Sequence, residues 1–223
     1  MLDFEGVKIK WLGHSSFKIT NGKTIYLDPY HIEPEEDADL ILITHAHFDH
    51  FSPEDLEKIK KKSTVVVTTA DCAAKLSLNT KVIKPGETIN LENIKVEAVP
   101  AYNTHRFKSE GVPFHSKESG WCGYIITVDN VRIYHAGDTD KIPEMKDIKC
   151  DVALLPIGGT YTMDAEEAAQ AANEIQPHVA IPMHWGKIVG KKTDAELFSE
   201  KAEVEVKILG KFVPGTEEHV PQA

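Results

Sequence analysis

Three imidazoles and one carboxylate fall within six residues, His45-Ala46-His47-Phe48-Asp49-His50. Imidazole and carboxylate are the ligands that borderline divalent ions such as Zn²⁺ accept; a thiolate site would need cysteines that this segment lacks. The cluster follows the apolar run Leu40-Ile41-Leu42-Ile43-Thr44, which reads as a buried strand. A strand ending in such a turn is a rigid platform with its ligands at the tip.

Other apolar runs also end in residues with chemistry. Ile25-Tyr26-Leu27 ends at Asp28, Ile133 to Gly137 at Asp138, and Ile181-Pro182-Met183 at His184. A strand over Val96 to Pro100 opens a long loop holding His105 and His115. Singly, Asp28 before Pro29 and Asp138 after Gly137 read equally well as turn formers. Ligands at the ends of neighbouring strands, however, can be gathered at one edge of a sandwich.

The elements that must position them are strand-rich. Val7–Trp11, Ser16–Thr20 and Thr24–Leu27 alternate, and Asn21-Gly22 marks a hairpin. Ser52-Pro53-Glu54-Asp55 opens a helix, Thr64–Thr68 is a β-branched strand, and Ala70–Leu76 has helical composition. Ile94–Val99, Gly123–Val128, Val131–His135, Val152–Pro156 and Val179–Met183 read as strands. Residues 101–119 have no clean periodicity, and a loop of that length in a compact domain is usually functional. Asp164 opens a helix with Glu167 completing a capping box, and Ala165, Ala168, Ala169, Ala172 and Ile175 share its packing face. Thr193-Asp194-Ala195-Glu196 starts a closing helix, with short strands from Val204. Hairpins interleaved with helices predict an α/β fold, two sheets with helices on their outer faces in a four-layer αββα sandwich.

Length and composition set outer bounds. The 223 residues fit a single domain over 1–223, with no linker-like stretch. A net charge of −10 argues against a phosphate-backbone binder, so no nucleic-acid partner is expected. No long uncharged apolar window predicts a membrane span, and the acidic start Met1–Glu5 is unlike a secretory signal. Cytoplasmic location is the expectation. Cys72, Cys122 and Cys150 are widely spaced and form no CxxC pair, so each reads as a small buried residue.

The chain resembles the metallo-β-lactamase-fold superfamily, and within it the small metal-dependent hydrolases of the ascorbate-phosphate-lactonase-like branch. The matching residues are WLGHSSF at 11–17, LDP at 27–29, THAHFDH at 44–50, YHAGDTD at 134–140, LLPIGG at 154–159 and PMHWG at 182–186. These motifs are specific for the fold and far less so for the substrate. The resemblance implies two divalent metal ions, zinc first, with manganese, iron or cobalt also compatible. His45 and His47 would hold one ion with a histidine from the long loop; Asp49, His50 and His184 would hold the other. Asp138 would bridge them, a hydroxide would lie between, and Asp49 and Asp138 would be the catalytic carboxylates. The family's loop histidine would fall at position 103, which here is Asn103. His115 is favoured to take its place because Pro113-Phe114 could anchor it and Lys117 offers an anion contact. His105 beside Arg106 is the alternative.

Other histidines read more modestly: His14 as a turn cap or a contact near the site mouth, and His135 as support for a ligand. His31, His178 and His219 read as structural or surface residues. The expected activity is hydrolysis of an ester, lactone or phosphodiester of a small molecule, which Arg106, Lys108 and Lys117 would help bind if it is anionic. Antibiotic hydrolysis and RNA processing fit less well. An iron redox role would call for a glutamate within the histidine motif and an electron-carrying domain, and neither is present. The competing class is a non-catalytic metal or metabolite sensor, although a degenerate binder tends to lose ligands that this chain keeps. Phe107, Phe114 and Trp121 could line a pocket or a homo-oligomer interface.

Overall fold

The computed structural model describes residues 1–211, so His219 lies outside the described residues. The first half contributes β1 (Leu2–Phe4), β2 (Val7–Gly13), β3 (Ser16–Thr20), β4 (Thr24–Leu27), β5 (Leu40–Ile43), α1 (Pro53–Ile59), β6 (Val65–Thr68), α2 (Ala70–Ala73) and β7 (Thr80–Val82). The second half contributes β8 (Thr88–Leu91), β9 (Ile94–Pro100), β10 (Phe107–Ser109), β11 (Val112–Pro113), β12 (Cys122–Val128) and β13 (Val131–His135). It continues with β14 (Val152–Pro156), α3 (Ala165–Ile175), β15 (Val179–Met183), α4 (Lys192–Lys201) and β16 (Glu205–Val206).

The halves share a style that sequence inspection only suggested. One sheet runs β1 to β7 in order and the other runs β8-β9-β12-β13-β14-β15-β16. In each, an antiparallel meander of four strands passes into a parallel run. Parallel strands need crossovers; α1 to α4 supply four of them, while residues 28–39 cross from β4 to β5 without a helix and a 3₁₀ turn over Pro143–Asp147 joins β13 to β14.

Strand alternation sets the layers. In β5, Leu40 and Leu42 face the inter-sheet core with Phe17, Ile25, Val96 and Tyr124. Ile41 and Ile43 point the other way, against Leu56, Ile59 and Cys72 of the first helical layer. Each such side chain contributes roughly 1.5–3 kcal/mol by leaving water. On the opposite side, Ala165, Ala168, Ala169, Ala172 and Ile175 of α3 are buried, and small residues allow the helix to lie close to its sheet. The result is the four-layer αββα sandwich.

Local signals held with two adjustments. The Ser52 side chain caps α1 by accepting from the Asp55 N–H, and Asp164 caps α3 by accepting from the Glu167 N–H. The capping box at Asp164 is only half formed. Glu167 turns outward, accepting from the Lys141 N–H and from Arg106. The 101–119 loop is also less irregular than its composition suggests, since it folds into the β10–β11 hairpin and a short 3₁₀ turn over Lys117–Ser119.

Candidate metal centre

The strand ends converge at one edge of the sandwich. His14 follows β2, Asp28 follows β4, His45 to His50 follow β5, Asp138 follows β13 and His184 follows β15. The Tyr124 hydroxyl of β12 donates to the Ile43 carbonyl at 2.7 Å, tying the two sheets at the root of the histidine turn. That turn closes on itself through the His50 and Phe51 N–H groups, both donating to the His47 carbonyl. Close backbone approach also shapes the edge. A Cβ on Gly137 would lie 2.9 Å from the Cys122 carbonyl oxygen, and one on Gly158 would lie 2.8 Å from Nδ1 of His184.

The ligand-capable atoms fall into groups whose members lie within 4.8 Å of one another. His45, His47 and His115 form one; Asp49, His50 and His184 form another, joined by His14. Asp138 stands between them. Its Oδ1 is 3.2 Å from His50 Nε2, and its Oδ2 is 3.0 Å from His184 Nε2 and 3.3 Å from His115 Nε2. Except for His47, which is half-buried, these candidate ligands are buried.

Neighbouring groups fix which nitrogen faces inward. The Asn103 amide nitrogen donates to Asp140 and to the Tyr161 carbonyl, while its oxygen accepts from the His115 N–H at 2.8 Å. That oxygen can only accept, so His115 Nδ1, also 2.8 Å away, must carry the proton. The Asp28 carboxylate accepts from the Thr44 N–H, the Thr44 hydroxyl and His50 Nδ1 at 2.7–2.8 Å. With its hydroxyl proton directed at Asp28, Thr44 can only accept from His45 Nδ1, 3.0 Å away. His45, His50 and His115 therefore all present Nε2 to the centre, the arrangement by which carboxylates and carbonyls orient metal-bound histidines.

The interior is under-satisfied without a cation. His45 Nε2 and His115 Nε2 lie 3.1 and 3.2 Å from the same His47 Nδ1, where one proton at most can be shared. His50 Nε2 and His184 Nε2 lie close to Asp138 but outside hydrogen-bond geometry, and His184 Nδ1 is buried with no hydrogen-bond partner. Such convergence of buried lone pairs is unfavourable by itself and fits divalent metal ions. Burial, then the neighbouring His50, holds His45 well below its ordinary pKa; burial, then His115, takes His47 to about 4. Burial opposes ionisation of Asp138, yet His184 and His50 hold it well below the carboxylate range. Neutral imidazoles and an ionised carboxylate are the metal-binding states.

His14 was underweighted by its sequence context. Its Nε2 lies 3.0 Å from Asp49 Oδ2, its ring packs 3.9 Å from that of His184, and its carbonyl accepts from the His184 N–H at 2.9 Å. Both histidines have left-handed backbones, φ 51° and 59°, a strained conformation that clusters at functional sites. His135 lies behind the centre: the Gly137 N–H donates to its Nδ1, so Nε2 donates to the Ser15 carbonyl.

His105 is elsewhere, exposed beside Asp140 and Glu167. Arg106 Nη1 sits among those acids at 2.7 and 2.6 Å and supplies their countercharge. Of the loop cations expected to bind an anionic substrate, Arg106 is thus engaged inside the protein. Arg106 also donates to the Gly159 carbonyl, and Lys117 pairs with Glu144 at 2.8 Å. Lys108 is exposed on β10. Trp121, expected in a pocket or an interface, packs on His45 and His47 and donates to Asp71. The centre opens to solvent between Phe48, Phe114, Tyr161 and Ile188. Among the described residues no helix is long and apolar enough to cross a membrane.

This fold, with histidines and aspartates at its strand ends, defines a class, and comparison with known proteins agrees. The model of the beta-lactamase superfamily domain matches residues 8–184, and the chain belongs to that family. It is 36% identical to a UPF0173 metal-dependent hydrolase of Koribacter versatilis, over 91% of this chain and 96% of that one. A crystal structure from Parabacteroides distasonis superposes with a TM-score of 0.81 at 35% identity, covering 91% of this chain and 92% of the other. Igni18, a metallo hydrolase from Ignicoccus hospitalis, gives 0.74 at 29% identity over 91% and 94%.

Proposed function

We propose that the protein is a hydrolase with two divalent metal ions, zinc first and manganese, iron or cobalt compatible, cleaving an ester, lactone or phosphodiester of a small molecule. The observation that carries this reading is Asp138, whose carboxylate lies within 3.3 Å of His115 from the first histidine group and of His50 and His184 from the second. His45, His47 and His115 would hold one ion; Asp49, His50 and His184 would hold the second, with Asp138 shared. Two ions so held would supply a nucleophilic water near neutral pH and electrostatic stabilisation of charge developing at a carbonyl or phosphoryl oxygen.

The chain's own groups do the rest. Asn103, Asp28 and Thr44 hold three imidazoles in one tautomer, so no reorganisation is needed when substrate arrives. Trp121 walls off the His45–His47 side from bulk water. Asp49 and Asp138 both line the open pocket, and Asp49, anchored by His14, is the carboxylate placed to take up a proton there.

The test is a panel of esters, lactones and phosphodiesters assayed with metal-loaded protein and again after chelation. Turnover of at least one bond class, lost on chelation and restored by metal, is expected. No metal-dependent turnover on any class would overturn the reading in favour of a non-catalytic metal or metabolite sensor.

A further inference from the structure

A second recess lies beyond the His14–Asp49 hydrogen bond. Its walls include Trp11, Leu12, His14, Tyr30, Trp185 and Ile188. It adjoins the pocket over the metal centre at three places. Ile188 lines both, His14 of the recess bonds Asp49 of the pocket, and Tyr30 of the recess meets the Phe48 ring at 5.9 Å.

The recess is built rather than incidental. Trp185 stacks on Trp11, with ring centres 4.9 Å apart, and its indole N–H donates to the Pro182 carbonyl at 3.1 Å. At the junction of the two hollows stand Phe48 and Ile188, 68% and 38% exposed. Large apolar side chains gathered in water at the rim of a polar centre mark a surface used for binding. Among the described residues no carboxylate lines the recess; its lining is mainly apolar, and Lys187 and Lys211 are the cations in it.

We infer that this recess is a substrate subsite for an alkyl or aryl group attached to the bond that the metal centre cleaves. The inference rests on the hydrolase reading and narrows it, from any small ester, lactone or phosphodiester to one with an apolar arm. An apolar group crossing Ile188 from the centre would leave water on contact with Trp185 and Tyr30, with each buried methylene raising affinity about fourfold.

Two measurements on the metal-loaded protein separate the subsite from the chemistry. The first is binding of 2-phenylethanol and hexan-1-ol, neutral probes without a hydrolysable bond, followed by saturation-transfer NMR in wild type, Ile188→Asp and Tyr30→Ala. Ile188 is surface-exposed, so its substitution leaves the core intact. The second is kcat/KM for p-nitrophenyl acetate, butyrate and hexanoate in the same proteins. We expect both alcohols to bind wild type and to lose binding in both variants. The hexanoate-over-acetate ratio should exceed about tenfold in wild type and fall toward unity in Ile188→Asp. Alcohol binding lost in the variants without turnover of any ester would support the subsite and count against an ester as the bond cleaved. Ester turnover with a flat chain-length profile, or alcohol binding indifferent to both substitutions, would overturn the subsite.

Discussion

The side-chain oxygen of Asn103 accepts two hydrogen bonds from His115, one from its backbone N–H and one from ring Nδ1, each at 2.8 Å. An asparagine thus occupies the position where the resemblance led us to expect a histidine. It holds a histidine twelve residues later with Nε2 turned toward His47 and Asp138.

That relationship predicts unequal effects within one loop. Asn103→Leu keeps the bulk but leaves the His115 ring unoriented, and should weaken metal binding by about 10–100-fold. His115→Ala should remove one of the two ions, whereas His105→Ala should leave metal content unchanged. Competition titration against a chromophoric chelator distinguishes these, and loss of metal in His105→Ala alone would refute the assignment of His115.

Asp28 is buried and serves two histidines, His50 directly and His45 through Thr44. Asp28→Ala would strand the Thr44 N–H and the His50 Nδ1–H without an acceptor. We expect a loss of about 3 kcal/mol in unfolding free energy, read from urea denaturation of metal-free protein, because breaking one side of a buried charged pair costs on that order. Metal affinity should fall in parallel. An unchanged urea midpoint would mean that water replaces the carboxylate.

The His14–Asp49 contact is a positioning contact, and a conservative replacement should reveal it. Glutamine can carry an N–H to roughly the place of the imidazole Nε2; phenylalanine cannot. His14→Phe should lower affinity for one ion only, with His14→Gln recovering much of it. If glutamine fails to rescue, His14 acts as a ligand itself.

Acid should destabilise the metal-free protein. Burial, then His184 and His50, brings His14 to a pKa of about 4, and His47 is likewise near 4. Their folded values lie below the ordinary 6.5, so the unfolded chain takes up protons first as pH falls. Stability is therefore lost between about pH 6.5 and about pH 4, and His45 and His135, also lowered by burial, act in the same direction. His50 opposes them. Burial would lower its pKa, but Asp138 and Asp28 raise it well above 6.5, so its contribution is present in acid and lost as pH rises. Urea midpoints of chelated protein should fall across that window. A rise would contradict the lowered values of His14 and His47.

What was legible in the sequence was local. The His45–His50 turn and β5 are contiguous, so ligand chemistry and strand pattern could be read together. His184 and Asp138 could be recognised as the ends of apolar runs. The partners of Arg106 could not: Asp140 and Glu167 lie 34 and 61 residues away, and it is the segment after β13 and the packing of α3 that bring them to the loop. Lys117 likewise meets Glu144 across 27 residues, a surface pairing that sequence spacing does not reveal. The roles of Asn103, Thr44 and His14 also depend on tertiary contact, because a side chain that orients another residue has no periodicity of its own.

The most direct test of the central claim is elemental analysis of purified protein beside a His184→Ala variant, each after reconstitution at neutral pH. The account predicts about two equivalents of divalent metal per wild-type chain and about one in the variant, as a shared-carboxylate pair of sites requires. No appreciable metal in either protein would contradict the binuclear hydrolase and leave only the fold and the family.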